Sequence, residues 1–430
     1  MRVALANPAW DYRNSIYFGC RSPHLPLELG YSRTMLETAG HQVLLIDAHA
    51  LQLTNAATAQ LVADFRPDMT VVTTAPTYLF WRCAQPELRI PREFLDELDG
   101  RGGTRVAVGP HGSVTPETTL RKLAADVVVR GECEDGIVEL AQSGGDPAGI
   151  SGVAYEDGDR IVVTGPPRAT RFVDLPPLSW DDELIRRHDH HHHRFDAHPG
   201  GPGAEVEASR GCPYHCTFCA KIDFRDKYRR RELPLLLEEI EALATQRVQY
   251  IYFVDEIFLP NRPLLEALCK FDLKFGIQTR IDLWKPEMLD LLGKAGCVSI
   301  EAGVESLTRE GRDALDKKCR LSTDELADLL IRAREKVPFV QANLIAMAND
   351  DADLVGRWRE RLQSQGVWAN DPVPLYPYPS SPDYRRLFGQ PDERAWERAH
   401  EHYLDQFQRF SEIQEERPLP LHELEASCRC

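Results

Sequence analysis

Short apolar runs alternate with amphipathic stretches twice along this chain, and that alternation limits its fold more than any other feature. Over residues 1–145 the runs at 2–7, 42–47, 69–74, 105–109 and 127–130 are rich in Val, Ile and Leu and read as buried strands. Amphipathic segments such as 27–39 and 54–65 lie between them. Parallel strands need a crossover, usually a helix, so βαβ alternation predicts a parallel sheet covered on both faces. The expectation for 1–145 is therefore α/β, a doubly wound Rossmann-like domain. A second series has strands near 204–210, 249–255, 274–280, 297–304, 339–347 and 367–374. Its helices fall near 234–245, 263–271, 286–295, 323–336 and 352–365, several opened by proline, which suits the first turn. Six such units predict a partial (β/α)6 TIM-like barrel over 204–385, with its chemistry at the carboxyl ends of the strands.

Residues 146–203 read as a connector. A hairpin is expected around Glu156-Asp157-Gly158-Asp159, followed by prolines and a stretch, 188–198, with six histidines. That stretch is polar, Pro/Gly-bounded and without regular ligand spacing; we read it as an inter-domain linker, with metal or substrate binding as the alternative. Residues 386–430 form a charged, short helical tail ending in Cys428-Arg-Cys430, read as an exposed end rather than a metal or redox pair.

The net charge of −16 argues against a generic nucleic-acid binder, which needs a basic face. The basic run from Arg225 to Arg231 is expected to be a solvated stretch. No apolar run approaches the ~20 residues of a membrane span. The opening residues break at Pro8, too soon for a secretory leader, and read as a first buried strand. Eleven scattered cysteines, an odd number, do not suggest a disulfide scaffold; a reducing cytoplasm and thiolate metal ligands fit better. Cys20, Cys83, Cys133, Cys269, Cys297 and Cys319 lie singly and are expected to be buried, inert thiols.

Doubly wound sheets bind ligands beyond the carboxyl ends of their strands. Asn7-Pro8, Thr74-Ala75, Gly109-Pro110-His111 and Gly131-Glu132 stand at those ends, where Gly and Pro allow sharp turns and close backbone approach. Ordinary turn chemistry is the alternative reading.

The stretch Ser209-Arg-Gly-Cys212-Pro-Tyr-His-Cys216-Thr-Phe-Cys219 carries the strongest chemical signal. Three cysteines spaced C-x3-C-x2-C directly after a strand suit one cuboidal iron–sulfur cluster, binding three irons and leaving the fourth open. Zinc is the competing reading. Structural zinc wants four ligands, usually in paired C-x2-C units, and His215 inside the loop offers a fourth.

With Phe218 just before the last cysteine, this motif resembles that of the radical S-adenosylmethionine (SAM) superfamily. The resemblance implies a [4Fe–4S] cluster on Cys212, Cys216 and Cys219. Its open iron is chelated by SAM, and one-electron cleavage releases a 5′-deoxyadenosyl radical. Asp255 and Glu256 look like the acidic pair that receives the ammonium of SAM. Glu301, Glu305 and Ser306 resemble the fourth-strand segment near the ribose. The resemblance also places Arg280 at the cosubstrate carboxylate and Asn343 toward adenosine, although the segment 343–349 lacks the family's usual glycine. Gly109-Pro110-His111 and Arg130-Gly131-Glu132, in a doubly wound domain preceding the barrel, resemble the cobalamin-binding domain of cobalamin-dependent radical SAM enzymes. On that resemblance Asn7, Pro8, Thr74, Ala75, Gly109, Pro110, His111, Gly131 and Glu132 would meet cobalamin. Asp47-Ala-His49 lacks the glycine of the family's cobalt-binding motif and follows the second strand, so His49 is not assigned to cobalt. The implied reaction is methyl transfer to an unactivated carbon of a small-molecule biosynthetic intermediate, fed by an external one-electron donor such as flavodoxin or ferredoxin. Rearrangement or cyclisation without methyl transfer is the second reading, and a non-catalytic cofactor-binding module the third.

Overall fold

The computed structural model describes residues 1–16, 22–77, 83–188, 201–348, 350–407 and 414–426. Cys20, Asn349, most of the histidine-rich stretch (189–198), Cys428 and Cys430 lie outside the described residues. The chain divides into two compact units: Met1–Arg187 with Cys219–Asp226 and Tyr376–Cys430, and His188–Phe218 with Lys227–Leu375.

The first unit holds a seven-stranded sheet in the order β2-β1-β3-β4-β5-β6-β7. Its strands are β1 Arg2–Asn7, β2 Gln42–Asp47, β3 Met69–Thr73, β4 Thr104–Val108, β5 Val127–Val129, β6 Val153–Asp157 and β7 Arg160–Val163. The first five run parallel, and the β6–β7 hairpin joins the edge antiparallel. The order reverses between β1 and β3, as in doubly wound folds, and opens a crevice at the carboxyl ends there. Amphipathic helices cover the sheet. The helix Arg89–Leu98 buries Phe94, Leu95 and Leu98 in a core with Ala4, Val72, Ala107 and Val128. Helix Asn55–Phe65 starts at Thr54, whose Oγ1 accepts the Ala57 N–H, and stops at Arg66 in a left-handed turn.

The second unit is built on a six-stranded, all-parallel sheet ordered β15-β14-β13-β12-β11-β8. The strands are β8 Gly203–Val206, β11 Tyr250–Phe253, β12 Lys274–Thr279, β13 Cys297–Glu305, β14 Phe339–Leu344 and β15 Trp368–Ala369. A two-residue ladder, β9 Ser209–Arg210 with β10 Arg229–Arg230, closes the base of the loop that carries the cysteines. The whole is a doubly wound domain plus a partial TIM-like barrel, with helices Pro382–Phe388, Ala395–Asp405 and Leu421–Ala426 at the C-terminal end.

Two expectations are corrected. The basic run is solvated only in part: Lys227 and Arg230 are exposed, but Arg225 and Arg231 are buried, and Arg231 pairs with buried Glu239 at 2.8 Å. A charge at those depths needs a partner or hydrogen bonds, which a run of basic residues alone does not reveal. Cys269 is exposed, because it caps the solvent end of helix Arg262–Leu268; Cys133, Cys297 and Cys319 are buried as expected, and Cys83 is half-buried. No helix among the described residues is long and apolar enough to cross a membrane.

Candidate active site

Strand register decides which side chains of the barrel share a face. Glu205, Tyr252, Gly276 and Ser299 stand side by side on β8, β11, β12 and β13. Gln278, Glu301 and Gln341 form the next row, and Gly303 and Asn343 the one beyond. The alternate positions, among them Val206, Ile251, Ile277, Ile300 and Val340, are buried apolar residues. Period-two alternation thus gives one apolar face and one polar face. On the polar side the Tyr252 hydroxyl donates to Glu301 Oε1 at 3.2 Å, and the Gln341 amide to Asn343 Oδ1.

The cysteine loop is anchored by carboxylates. Asp255 accepts from the Ala208 N–H at 2.9 Å and from the Ser209 hydroxyl at 2.5 Å. Glu256 accepts from the Gly211 N–H at 2.7 Å, and the Thr217 N–H donates to the Leu315 carbonyl at 3.1 Å. Within the same loop, the ring of Tyr214 lies under the guanidinium of Arg280 at 4.0 Å. Asp282 holds Arg280 through two hydrogen bonds, 3.1 and 2.7 Å, and the buried Nη1 has no partner among the described residues. Such a clamp fixes a planar cation beside the loop and leaves one donor for a ligand.

Burial lifts the Asp255 carboxyl to about 7, against the opposing pull of its hydrogen bonds from Ser209 and Ala208. The folded protein therefore holds this proton more tightly than the unfolded chain, whose carboxyl titrates near 3.8. By linkage, stability from this group is full below pH ~4 and falls as pH rises toward ~7. We expect Asp255→Asn to remove that decline, so that melting temperatures of wild type and variant diverge between pH 5 and pH ~7.5. Parallel pH–melting curves would contradict it.

Other expected contacts are engaged differently. Glu305, in a left-handed backbone conformation (φ 61°), takes the ammonium of Lys317 at 2.5 Å, and Lys317 also donates to the Gly303 carbonyl at 2.9 Å. The Ser306 hydroxyl donates to Asp350 at 2.8 Å. Asp255, Glu256, Glu305 and Ser306 thus hold backbone and neighbours, while Arg280, Glu301 and Asn343 line the polar side. Phe218 is half-buried in the loop. Cys212 and Cys219 are half-buried, Cys216 is buried, and none forms a disulfide. Among the described residues no group of three or more His, Cys, Asp or Glu side chains is arranged to hold a metal. The three cysteines follow one another on one stretch of chain.

Sequence reasoning did not single out Tyr214, Asp282, Lys317 or Asp350. Lys317 looked like one charge in a charged run, and only its burial (4% side-chain exposure) distinguishes it.

In the first unit the expected strand-end residues fall into two groups. Asn7 donates to Asp47 at 2.9 Å and accepts from the Trp10 indole at 2.6 Å, bracing β1 against β2 beside half-buried Pro8. Thr74 and Ala75 are buried after β3. Gly109 has φ 135°, and a Cβ there would strike the Thr74 hydroxyl, so glycine is required for this close approach. Pro110 and His111 open the next helix; burial pushes the His111 imidazole down to about 3, so it is neutral. The buried Thr74 Oγ1 and both His111 nitrogens lack partners among the described residues. In the second group the Gly131 N–H donates to Ser113, and Glu132 accepts the Thr170 N–H at 2.9 Å. The His49 ring lies 6.0 Å from that of Tyr12.

Residues 20–141 match the B12 binding domain and residues 206–355 the Radical SAM superfamily. The chain is 26% identical over 318 residues to an uncharacterized methyltransferase of Pyrococcus horikoshii, covering 71% of this chain and 66% of that protein. It is 25% identical over 417 residues to an anaerobic magnesium-protoporphyrin IX monomethyl ester cyclase of Cereibacter sphaeroides, covering 91% and 64%. The chain thus spans just under two-thirds of the length of these relatives. Its fold resembles the radical SAM methyltransferase TsrM of Kitasatospora setae, with a TM-score of 0.69 at 20% identity, over 89% of this chain and 73% of that one. The chain thus carries a B12-binding domain followed by a radical SAM domain on this fold.

Proposed function

We propose that this enzyme transfers a methyl group to an unactivated carbon of a small-molecule intermediate, through a 5′-deoxyadenosyl radical. The observation that carries the reading is the pairing, in one chain, of a carboxylate-anchored C-x3-C-x2-C loop with strand ends in a B12-binding domain that keep buried polar atoms unpaired. Three thiols outside any disulfide fit a [4Fe–4S] cluster with one open iron. The unpaired Thr74 and His111 atoms fit cobalamin, and the unpaired Nη1 of Arg280 fits the carboxylate of SAM. When bound, the cluster supplies the electron that breaks the sulfonium, and cobalamin carries the methyl group.

The chain's own residues position and shield. Cys212, Cys216 and Cys219 are the proposed cluster ligands. Asp255 and Glu256 fix the start of their loop, so that ligand geometry is set before SAM arrives. Arg280, stacked on Tyr214, orients the SAM carboxylate, while Glu301 and Asn343 face ribose and adenine. Thr74, Gly109 and His111 receive cobalamin with a neutral imidazole. No general base is needed, because the substrate loses a hydrogen atom rather than a proton. An external flavodoxin- or ferredoxin-like donor supplies electrons.

Cyclisation without methyl transfer is the second reading, favoured by the similarity to the Cereibacter cyclase over 91% of this chain. Anaerobic protein loaded with cluster and hydroxocobalamin distinguishes them. Methyl transfer predicts S-adenosylhomocysteine alongside 5′-deoxyadenosine; 5′-deoxyadenosine alone, with substrate consumed, would overturn it in favour of cyclisation.

A further inference from the structure

The segment that follows the barrel lies outside both matched regions, yet from Tyr376 onward it folds with the first unit. Trp396 stacks on His111, with ring centroids 4.1 Å apart and planes at 26°, and its indole N–H donates to Thr115 at 3.2 Å. Tyr378 meets Trp396 edge-on at 6.4 Å and packs on Tyr376 at 4.4 Å. Lys122, paired with Glu397 and Glu425 at 3.0 Å each, ties the same segment to the helix Pro116–Leu123. The backbone of Thr74, Gln85 and Pro86 lies beside the His111 ring, and Glu87 lies within electrostatic range of Tyr376.

Around this junction buried polar atoms lack partners. Gln85 Oε1, Glu87 Oε2, the Tyr378 hydroxyl, Thr74 Oγ1 and both His111 nitrogens have none among the described residues, and none of these side chains is more than 7% exposed. Leaving one such atom unsatisfied costs roughly 1–3 kcal/mol, so a group of them marks a missing polar occupant. The chemistry narrows what that occupant is. Gln85 and Glu87 offer acceptors, Tyr378 a donor, and neutral His111 one of each. Arg89, the cation paired with Glu87, is already bound to the carbonyls of Asp11 and Arg13. An anionic phosphate would meet the Glu87 carboxylate, whose partner Arg89 is already engaged. A primary carboxamide, with two N–H groups and one carbonyl, matches the set.

We propose that Gln85, Glu87 and the C-terminal Tyr378, backed by Trp396, bind the carboxamide arms of the corrin ring. The C-terminal segment thereby completes a pocket that the B12-binding domain alone leaves open. This rests on the cobalamin reading above.

The test is titration of anaerobic full-length protein with hydroxocobalamin and, separately, with cobinamide, which keeps the arms but lacks the nucleotide tail. Corrinoid absorbance gives each Kd, and a melting curve of the unloaded protein reports its fold. Tyr378→Phe, which removes only the hydroxyl, should weaken both corrinoids by about tenfold, the worth of one buried hydrogen bond, without lowering the melting temperature. Gln85→Met should do the same. Wild-type affinity in both variants would overturn the proposal. So would weakening confined to hydroxocobalamin, which would assign these groups to the tail. If wild type takes up neither corrinoid, the cobalamin reading itself fails, and the proposal with it.

Discussion

Replacing Cys216 by Ala should abolish the cluster: after anaerobic reconstitution with iron and sulfide, the variant is expected to hold little iron and to lack the broad visible absorption of wild type. Cys216 is the central and most buried of the three loop cysteines. Two remaining thiolates cannot hold a cuboidal cluster through three irons. The loss of SAM cleavage should exceed the roughly 100-fold that removing an outer-shell partner of a metal site costs. Cys297→Ala is the contrasting variant. Burial pushes that thiol well above its ordinary range, so it is an inert core residue, and its removal should leave iron content unchanged. Equal iron in wild type and Cys216→Ala would contradict the ligand assignment.

The second large effect is on stability. Lys317→Met should destabilise the barrel by about 3–5 kcal/mol, the usual cost of leaving one partner of a buried ion pair alone. Lys317 and Glu305 have side-chain exposures of 4% and 11%, so water screens the pair little. Lys317 also bonds the Gly303 carbonyl, and its neighbours Asp316 and Lys318 are, like Glu305, in left-handed backbone conformations that non-glycine residues seldom adopt. One side chain thus holds a strained turn against the end of β13. The double variant Lys317→Met/Glu305→Leu should recover part of the loss, because no charge is then left unpaired. Urea denaturation of the three proteins measures it. A single variant within 1 kcal/mol of wild type would show that the pair is solvated in solution.

Much of the fold was legible because apolar periodicity is a physical requirement of the sheets. The strands at 2–7 and 42–47 match Arg2–Asn7 and Gln42–Asp47 residue for residue, since both are Val/Leu/Ile runs closed by a polar residue at the crevice. The third strand stops one residue earlier than expected, at Thr73, although the Thr74 N–H still donates to the Val108 carbonyl at 2.8 Å. The fifth barrel strand ends at Leu344 rather than near 347, where register shifts beside the left-handed Glu305.

Site chemistry was legible as residue type more than as role. Asp255 and Glu256 were singled out by resemblance to the family's acidic pair, and they accept hydrogen bonds from the backbone and hydroxyl of residues 208–211. Which neighbour a carboxylate meets depends on how β8 and β11 lie together, and no local spacing encodes that. Lys317 and Asp350 were missed for the same reason. A proline-rich stretch, 374–384, follows the last barrel strand. Its tyrosines gain meaning only from Trp396 and His111, hundreds of residues apart in the chain and stacked in the fold.

The central claim is that the chain performs SAM radical chemistry on its three-cysteine loop. It is tested most directly by quantifying 5′-deoxyadenosine from anaerobically reconstituted protein given SAM and a low-potential reductant. The account predicts steady formation by wild type and none above background with Cys216→Ala. No 5′-deoxyadenosine from a wild-type protein that carries its cluster, or equal formation by the variant, would contradict it.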